Sequence, residues 1–182
     1  MSPEPEFIEY RVVPERSEVA FSVKHLMISK VKGHFERFSG LLRLVPGDWA
    51  RSEFRGVVEV ASITTSDQSR DEYLRTHEFF DPKRYPELQF TSTEVRIDGA
   101  DGARISGILQ IKESRGPVEL KVEGLGAILV GPEKLPAHFE VHARGKMDRR
   151  EFGLVWPPAI EAGGVLVGNE VEIDLKFYWV KA

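Results

Sequence analysis

The chain alternates apolar and polar positions over much of its length. Near the C-terminus Val171, Ile173, Leu175, Phe177 and Trp179 alternate with Glu172, Asp174, Lys176 and Tyr178. A period of two describes a strand with one apolar face. Val118, Leu120 and Val122 alternate in the same way with Glu119, Lys121 and Glu123, and Phe139, Val141 and Ala143 with Glu140, His142 and Arg144. Phe21 and Val23 alternate with Ser22 and Lys24, and Ile105, Gly107, Leu109 and Ile111 share one face. Weaker strand patterns run over about 35–45, 54–64 and 88–97. Together these predict eight strands, and the stretch 7–13 offers a ninth. Turn signals separate them, among them Pro46-Gly47-Asp48, 98–102, Gly131-Pro132 and Gly163-Gly164. Two stretches do not fit a strand. Leu26, Met27 and Ile28 form a short apolar run. Residues 67–76 read as a helix, with Asp67 as N-cap, Asp71 and Glu72 in the first turns, and Tyr73 and Leu74 covering the sheet.

Eight mostly antiparallel strands make a sandwich or a barrel, and the pattern alone does not choose. Closing the sheet removes exposed edges. A barrel of about eight strands is either filled by its own side chains or holds one small ligand. The predicted inner face is rich in Phe, Val, Ile and Leu. In a wide barrel that lining is an apolar pocket; in a narrow one it is an ordinary core.

Composition narrows the chemistry. The 182 residues are 41% hydrophobic and 30% charged, as expected of one globular domain spanning 1–182. With 25 Lys and Arg against 29 Asp and Glu, the net charge of −4 leaves no electrostatic footprint for nucleic acid. The absence of cysteine excludes disulfides, thiolate metal sites, Fe–S clusters and a cysteine nucleophile. No run approaches the ~18 apolar residues of a spanning helix. Met1-Ser2-Pro3-Glu4-Pro5-Glu6 is acidic and lacks a signal-peptide core, so a cytoplasmic location is expected, or a periplasmic one if a leader has been removed. A single asparagine and three glutamines, beside abundant Glu and Arg, suggest a heat-adapted source.

No phosphate-cradling glycine loop or nucleophile elbow is present; Gly124-Leu125-Gly126 lacks the strand–helix setting and the spacing. His138 and His142 lie four apart in a strand, roughly 13 Å, too far for one zinc ion to bridge. His25 continues the face of Phe21 and Val23, so it is either a mouth histidine bonded to a backbone carbonyl or a donor to a ligand head group. Arg70 and Asp71, with Arg75 and Asp81 following, fit a clamp that holds the helix on the sheet better than a catalytic pair. Hydrolysis by paired acids needs a second carboxylate, and none is evident. The aromatics Phe79, Phe80, Tyr85, Phe90, Phe152 and Trp156 suit a core; an RNA-stacking role conflicts with the acidic balance. No metal or cofactor is expected.

An ordered set of fragments resembles the YceI-like family of lipocalin-like proteins. It runs through Phe21-Ser22-Val23-Lys24-His25-Leu26-Met27-Ile28, Val31-Lys32-Gly33-His34-Phe35, Phe38, Gly40 and Ser62-Ile63-Thr64-Thr65. It continues through Arg70-Asp71, Leu74, Phe79-Phe80-Asp81, Tyr85-Pro86, Phe90-Thr91-Ser92-Thr93, Gly107, Leu109, Pro117-Val118, Arg149, Phe152-Gly153-Leu154 and Trp156. The resemblance covers about 15–179. One loop departs from it. Where the family usually reads Leu-Thr-Ile-Arg-Gly-Val-Thr-Lys-Pro-Val, the stretch 109–118 places Glu113 at the turn glycine and has a glycine three places later, at Gly116.

The resemblance implies an extended eight-stranded antiparallel lipocalin-like β-barrel with a short helix at one end. It implies that the interior binds a long apolar molecule such as a polyisoprenoid, an isoprenoid quinone or a fatty amide. Family members are often periplasmic, and several resemble homodimers; transient contact with a membrane is compatible with such a role. The residues expected around the lipid are Phe21, Val23, His25, Met27, Ile28, Phe35, Phe38, Leu74, Phe79, Phe80, Phe90, Phe152 and Trp156. Arg70, Asp71 and Arg149 are the polar candidates at the mouth. The expected function is non-enzymatic binding, storage or transport of that lipid. The alternatives are an isomerase or hydrolase using His25 with Arg70 and Asp71, and a dimeric scaffold with a filled interior.

Overall fold

A computed structural model describes residues 3–4, 6–25, 29–129, 132–155 and 167–182. The alternating segments form β1 (Ile8–Val12), β2 (Glu18–His25), β3 (Ser29–Phe35), β4 (Phe38–Leu44), β5 (Glu53–Glu59), β6 (Ile63–Thr64), β7 (Glu87–Asp98), β8 (Gly102–Ile111), β9 (Ser114–Glu123), β10 (His138–Asp148) and β11 (Val167–Lys181). Two short helices, α1 (Gln68–Leu74) and α2 (Gly126–Leu129), lie at opposite ends of the sheet.

These eleven segments are eight strands. β1 and β2 lie end to end along one edge of β11. β4 and β3 lie end to end beside them, and β5 and β6 beside those. Three bent strands followed by β7 to β11 make a closed antiparallel meander. Closure is made by β11, whose 15 residues pair with β10 on one side and with β2 and β1 on the other. The stretch 7–13 is therefore not a ninth strand. It is the first half of the opening strand, offset by a 3-10 turn at Pro14–Arg16, where proline has no N–H to offer a ladder.

The runs 35–45 and 54–64 are likewise interrupted. The first breaks at Glu36 and Arg37, the second at a 3-10 turn, Val60–Ser62. Two serines satisfy backbone groups that the bends release. Tyr178 N–H donates to Ser17 Oγ at 2.9 Å. The Arg37 N–H donates to Ser62 Oγ at 3.0 Å, and that hydroxyl donates to Glu59 O at 2.7 Å. Bent strands curl the sheet, and the buried Ser62 shows why a polar residue persists inside the bend.

The predicted helix at 67–76 forms over Gln68–Leu74, with Asp67 Oδ1 accepting from the Arg70 N–H at 3.0 Å. Leu74 is buried on the barrel end, and Phe79 and Phe80 follow it inward. At the opposite end Leu125 and Ile128 close the barrel. Among the described residues no helix is long and apolar enough to cross a membrane.

Two inward glycines keep the lumen open. A Cβ on Gly33 would sit 2.3 Å from Phe21 Cζ, and one on Gly107 would sit 2.3 Å from Phe90 Cζ. Each ring lies flat across its neighbouring strand instead of reaching over the lumen. Gly33 meets only the ring, whereas a Cβ on Gly107 would also come 2.6 Å from the Thr91 carbonyl oxygen. Gly33→Ala is expected to destabilise by about 1–3 kcal/mol, the usual range for overpacking. The same change in a Phe21→Ala background should cost little. Gly107→Ala should stay costly even with Phe90→Ala, because backbone cannot retreat. Double-mutant cycles in denaturant measure both; an additive Phe21–Gly33 cycle would refute the contact.

Candidate functional site

The inward faces enclose a cavity of about 540 Å³. Its wall is drawn from β2 to β11, and it runs toward the end that carries α1. The lining is almost wholly hydrocarbon. Phe21, Val23, Phe35, Phe38 and Phe90 line the tube, and Leu74, Phe79 and Phe80 line it below the helix. Arg70 and Arg149 also contribute to the lining. Phe152 does not. It is 1% exposed and packs against β9, where a Cβ on Gly116 would come 3.1 Å from its ring. Asp71 does not face the cavity either. Met27, Ile28, Trp156 and the side chain of His25 lie outside the described residues.

Several lining residues were visible only as alternating faces. Leu120, Ile173, Leu175 and Phe177 all line the cavity, as their period-two strands imply. Phe54 and Met147 also line it. Had closure been assumed, the parity of each strand would have named them.

Below this cavity lies a second of about 70 Å³, lined by Trp49, Trp179, Ile128 and Phe139 among others. Phe54, Leu120 and Phe177 line both. The Phe54 and Phe177 rings are 6.1 Å apart, and each stands edge-on to Trp179, at 5.9 and 5.7 Å.

The polar groups near α1 are engaged with the protein itself. The buried Asp71 carboxylate accepts from the Thr65 N–H at 2.9 Å, from Thr65 Oγ1 at 2.6 Å and from Thr64 Oγ1 at 3.3 Å. Arg70 Nε donates to Thr65 Oγ1 at 2.7 Å and Nη2 to Thr65 O at 2.9 Å. Thr65 thus links the two residues expected as a clamp. Arg75 donates to Ala61 O and Ile63 O. Together these bonds fasten α1 to β6. Arg149, also buried, donates to Gly168 O at 3.0 Å and Leu154 O at 2.7 Å. Beside it Asp148 caps the 3-10 turn Arg149–Phe152. The Arg150 guanidinium and N–H hydrogen-bonded to Asp148 hold that carboxyl down at about 2.

The departing loop is a two-residue turn of Lys112 and Glu113 between β8 and β9. Lys112 takes a φ of 56°. Its Nζ donates to Phe79 O at 2.9 Å, and Tyr85 Oη donates to Glu113. That hydrogen bond, followed by desolvation, raises the Tyr85 hydroxyl above its ordinary value against the opposing charge of Arg84. Burial, then the Glu78 charge, does the same for Tyr73, which lines the cavity.

The described histidines of β10 point away from the lumen. His142 Nε2 lies 2.7 Å from Asp174 Oδ1, and His138 stacks on Tyr178 at 5.4 Å. Among the described residues no group of three His, Asp or Glu could hold a metal ion.

A profile of the YceI-like domain matches residues 10–178. The chain belongs to the YceI-like family. This YceI-like protein is 27% identical over 158 residues to a UPF0312 protein of Staphylococcus aureus strain USA300, covering 87% of this chain and 89% of that one. The crystal structure of Burkholderia cenocepacia BcnA superimposes with a TM-score of 0.78 at 22% identity, over 92% of this chain and 98% of that one. A polyisoprenoid binding domain from Saccharophagus degradans superimposes with a TM-score of 0.66 at 16% identity, over 95% and 98%. At these identities the structural likeness is one of fold.

Asp71→Ala should destabilise this YceI-like barrel by about 2–4 kcal/mol, because it orphans the buried donors of Thr65 and the half-buried hydroxyl of Thr64. Hydrogen exchange should show the loss of protection concentrated in α1 and β6. A loss spread evenly over the barrel would contradict the clamp.

Proposed function

We propose that this protein binds a long apolar lipid, a polyisoprenoid or isoprenoid quinone, inside the barrel and stores or carries it without chemical change. The observation that carries the reading is the 540 Å³ cavity and its hydrocarbon wall. An isoprenoid tail has no hydrogen-bonding groups, so such a wall leaves neither partner with an unpaired polar atom. The polyisoprenoid-binding domain among its structural relatives supports the same class of ligand.

Energetics favour an occupied barrel. An empty apolar lumen forfeits the dispersion contacts that an apolar guest supplies to its wall. Burial from water contributes about 4 kcal/mol per five-carbon unit, opposed by ordering of the chain. A lipid leaving a membrane is already in an apolar medium. The net driving force is then small, which suits a carrier that both loads and releases.

The alternative of an isomerase or hydrolase using His25 with Arg70 and Asp71 has less support, since the Asp71 carboxylate accepts bonds from Thr64 and Thr65 and does not line the cavity. Organic extraction of the purified protein followed by mass spectrometry tests the binding reading. Extracted and refolded protein should regain an apolar chain on loading, with its chemical mass unchanged. At about 100 times the dissociation constant, loading stabilises by ~2.7 kcal/mol, a rise in Tm of roughly 5–10 °C. No co-purifying lipid, no uptake and no thermal shift would sink it.

A further inference from the structure

We propose that Phe54, Leu120 and Phe177 form a steric floor that sets how long an apolar chain the barrel accepts. This rests on the lipid-binding reading and adds to it the residues that select among lipids. These three side chains line both the large cavity and the small one beneath it. The small cavity has the same chemistry as the large one. Trp49, Ile128 and Trp179 continue the apolar wall below the floor. The barrier between the two spaces is therefore one of shape, with no change of polarity along the tube.

The floor is firm. Phe54 and Phe177 are 6% and 9% exposed, and Leu120 is 4% exposed. The two rings are braced against each other and against Trp179. On the other wall Leu120 leans over Gly145, where a Cβ would come 2.9 Å from Leu120 Cδ2. Each side chain is thus held by neighbours that a ligand does not displace.

A featureless chain offers only its length for recognition. An apolar cavity of about 150 Å³ holds the six carbons of benzene, or about 25 Å³ per carbon. On that scale 540 Å³ holds roughly 20 carbons, about four isoprenoid units. Each added unit gains contact until the leading end meets the floor. Later units remain at the mouth and add little.

The experiment measures affinities of all-trans prenols of two to eight units, delivered from cyclodextrin, for the whole protein and its variants. In the unmodified protein, affinity should rise about tenfold or more per unit and level off near the fourth. Phe54→Ala and Leu120→Ala open the floor onto the lower cavity and should move the plateau about one unit longer. Val118→Phe adds a ring to the wall of the large cavity alone and should move it about one unit shorter. Leu120→Ala leaves the aromatic contacts in place, and Val118→Phe removes no packing, so folded variants of both signs are available. Cooperative melting confirms their folding. A plateau at the same length in folded variants of either sign, or no plateau through eight units, overturns the floor while leaving lipid binding intact. Failure of the unmodified protein to bind any prenol overturns both.

Discussion

Closure of the sheet at β11 is the constraint on which the rest depends. One long strand hydrogen-bonds β10 along one edge and the two halves of the opening strand along the other. With no edge left, every strand must send alternate side chains into one enclosed space. An eight-stranded ring is at the margin where side chains can just fill that space. Here they do not, because rings that could span the lumen are laid along its wall. Phe21 lies over Gly33 and Phe90 over Gly107. A glycine opposite an aromatic residue is what turns a packed core into a tube.

The second consequence concerns polarity. The charged residues of the helix region are not presented to the lumen as free groups. Thr65 joins Asp71 to Arg70, and Arg75 and Arg149 donate to backbone carbonyls. Buried charge is tolerable only where its hydrogen bonds are met, and here they are met by the scaffold. The same bonds that fix the helix over the barrel end leave carbon facing the cavity. A site of this kind recognises bulk, length and shape. Among the described residues the tube itself presents carbon almost throughout, with its few polar groups gathered near α1 and at Ser39 and Gln89.

Much of this was legible in the residues. The eight alternating segments match the eight strands, the N-cap Asp67 starts the helix, and the ordered fragments carry the YceI-like likeness. Eight of the expected apolar side chains do line the cavity. Other parts were not legible. The runs 35–45 and 54–64 look like single strands because apolar residues continue through them, yet each bend inverts the inward parity, from Phe35 to Phe38 and from Val58 to Ile63, a one-residue slip that short patterns hide. Phe152 resembles its lining neighbours in chemistry, yet it sits in the 3-10 turn after β10, packed against β9 and outside the lining. Asp71 adjoins Arg70 in sequence, yet on a helix consecutive residues face different ways, and only Arg70 reaches the cavity.

The sequence by itself determined which face of each strand is apolar, because a period of two is a local property of the chain. It also determined that no thiol chemistry is available. Only the tertiary structure decided that the faces enclose a tube with a floor. That outcome depends on which strands pair across the closure, on where bends fall, and on whether Phe54, Leu120 and Phe177, distant in sequence, converge at one level. Each of those is a relation between segments, and periodicity within a segment carries no information about it.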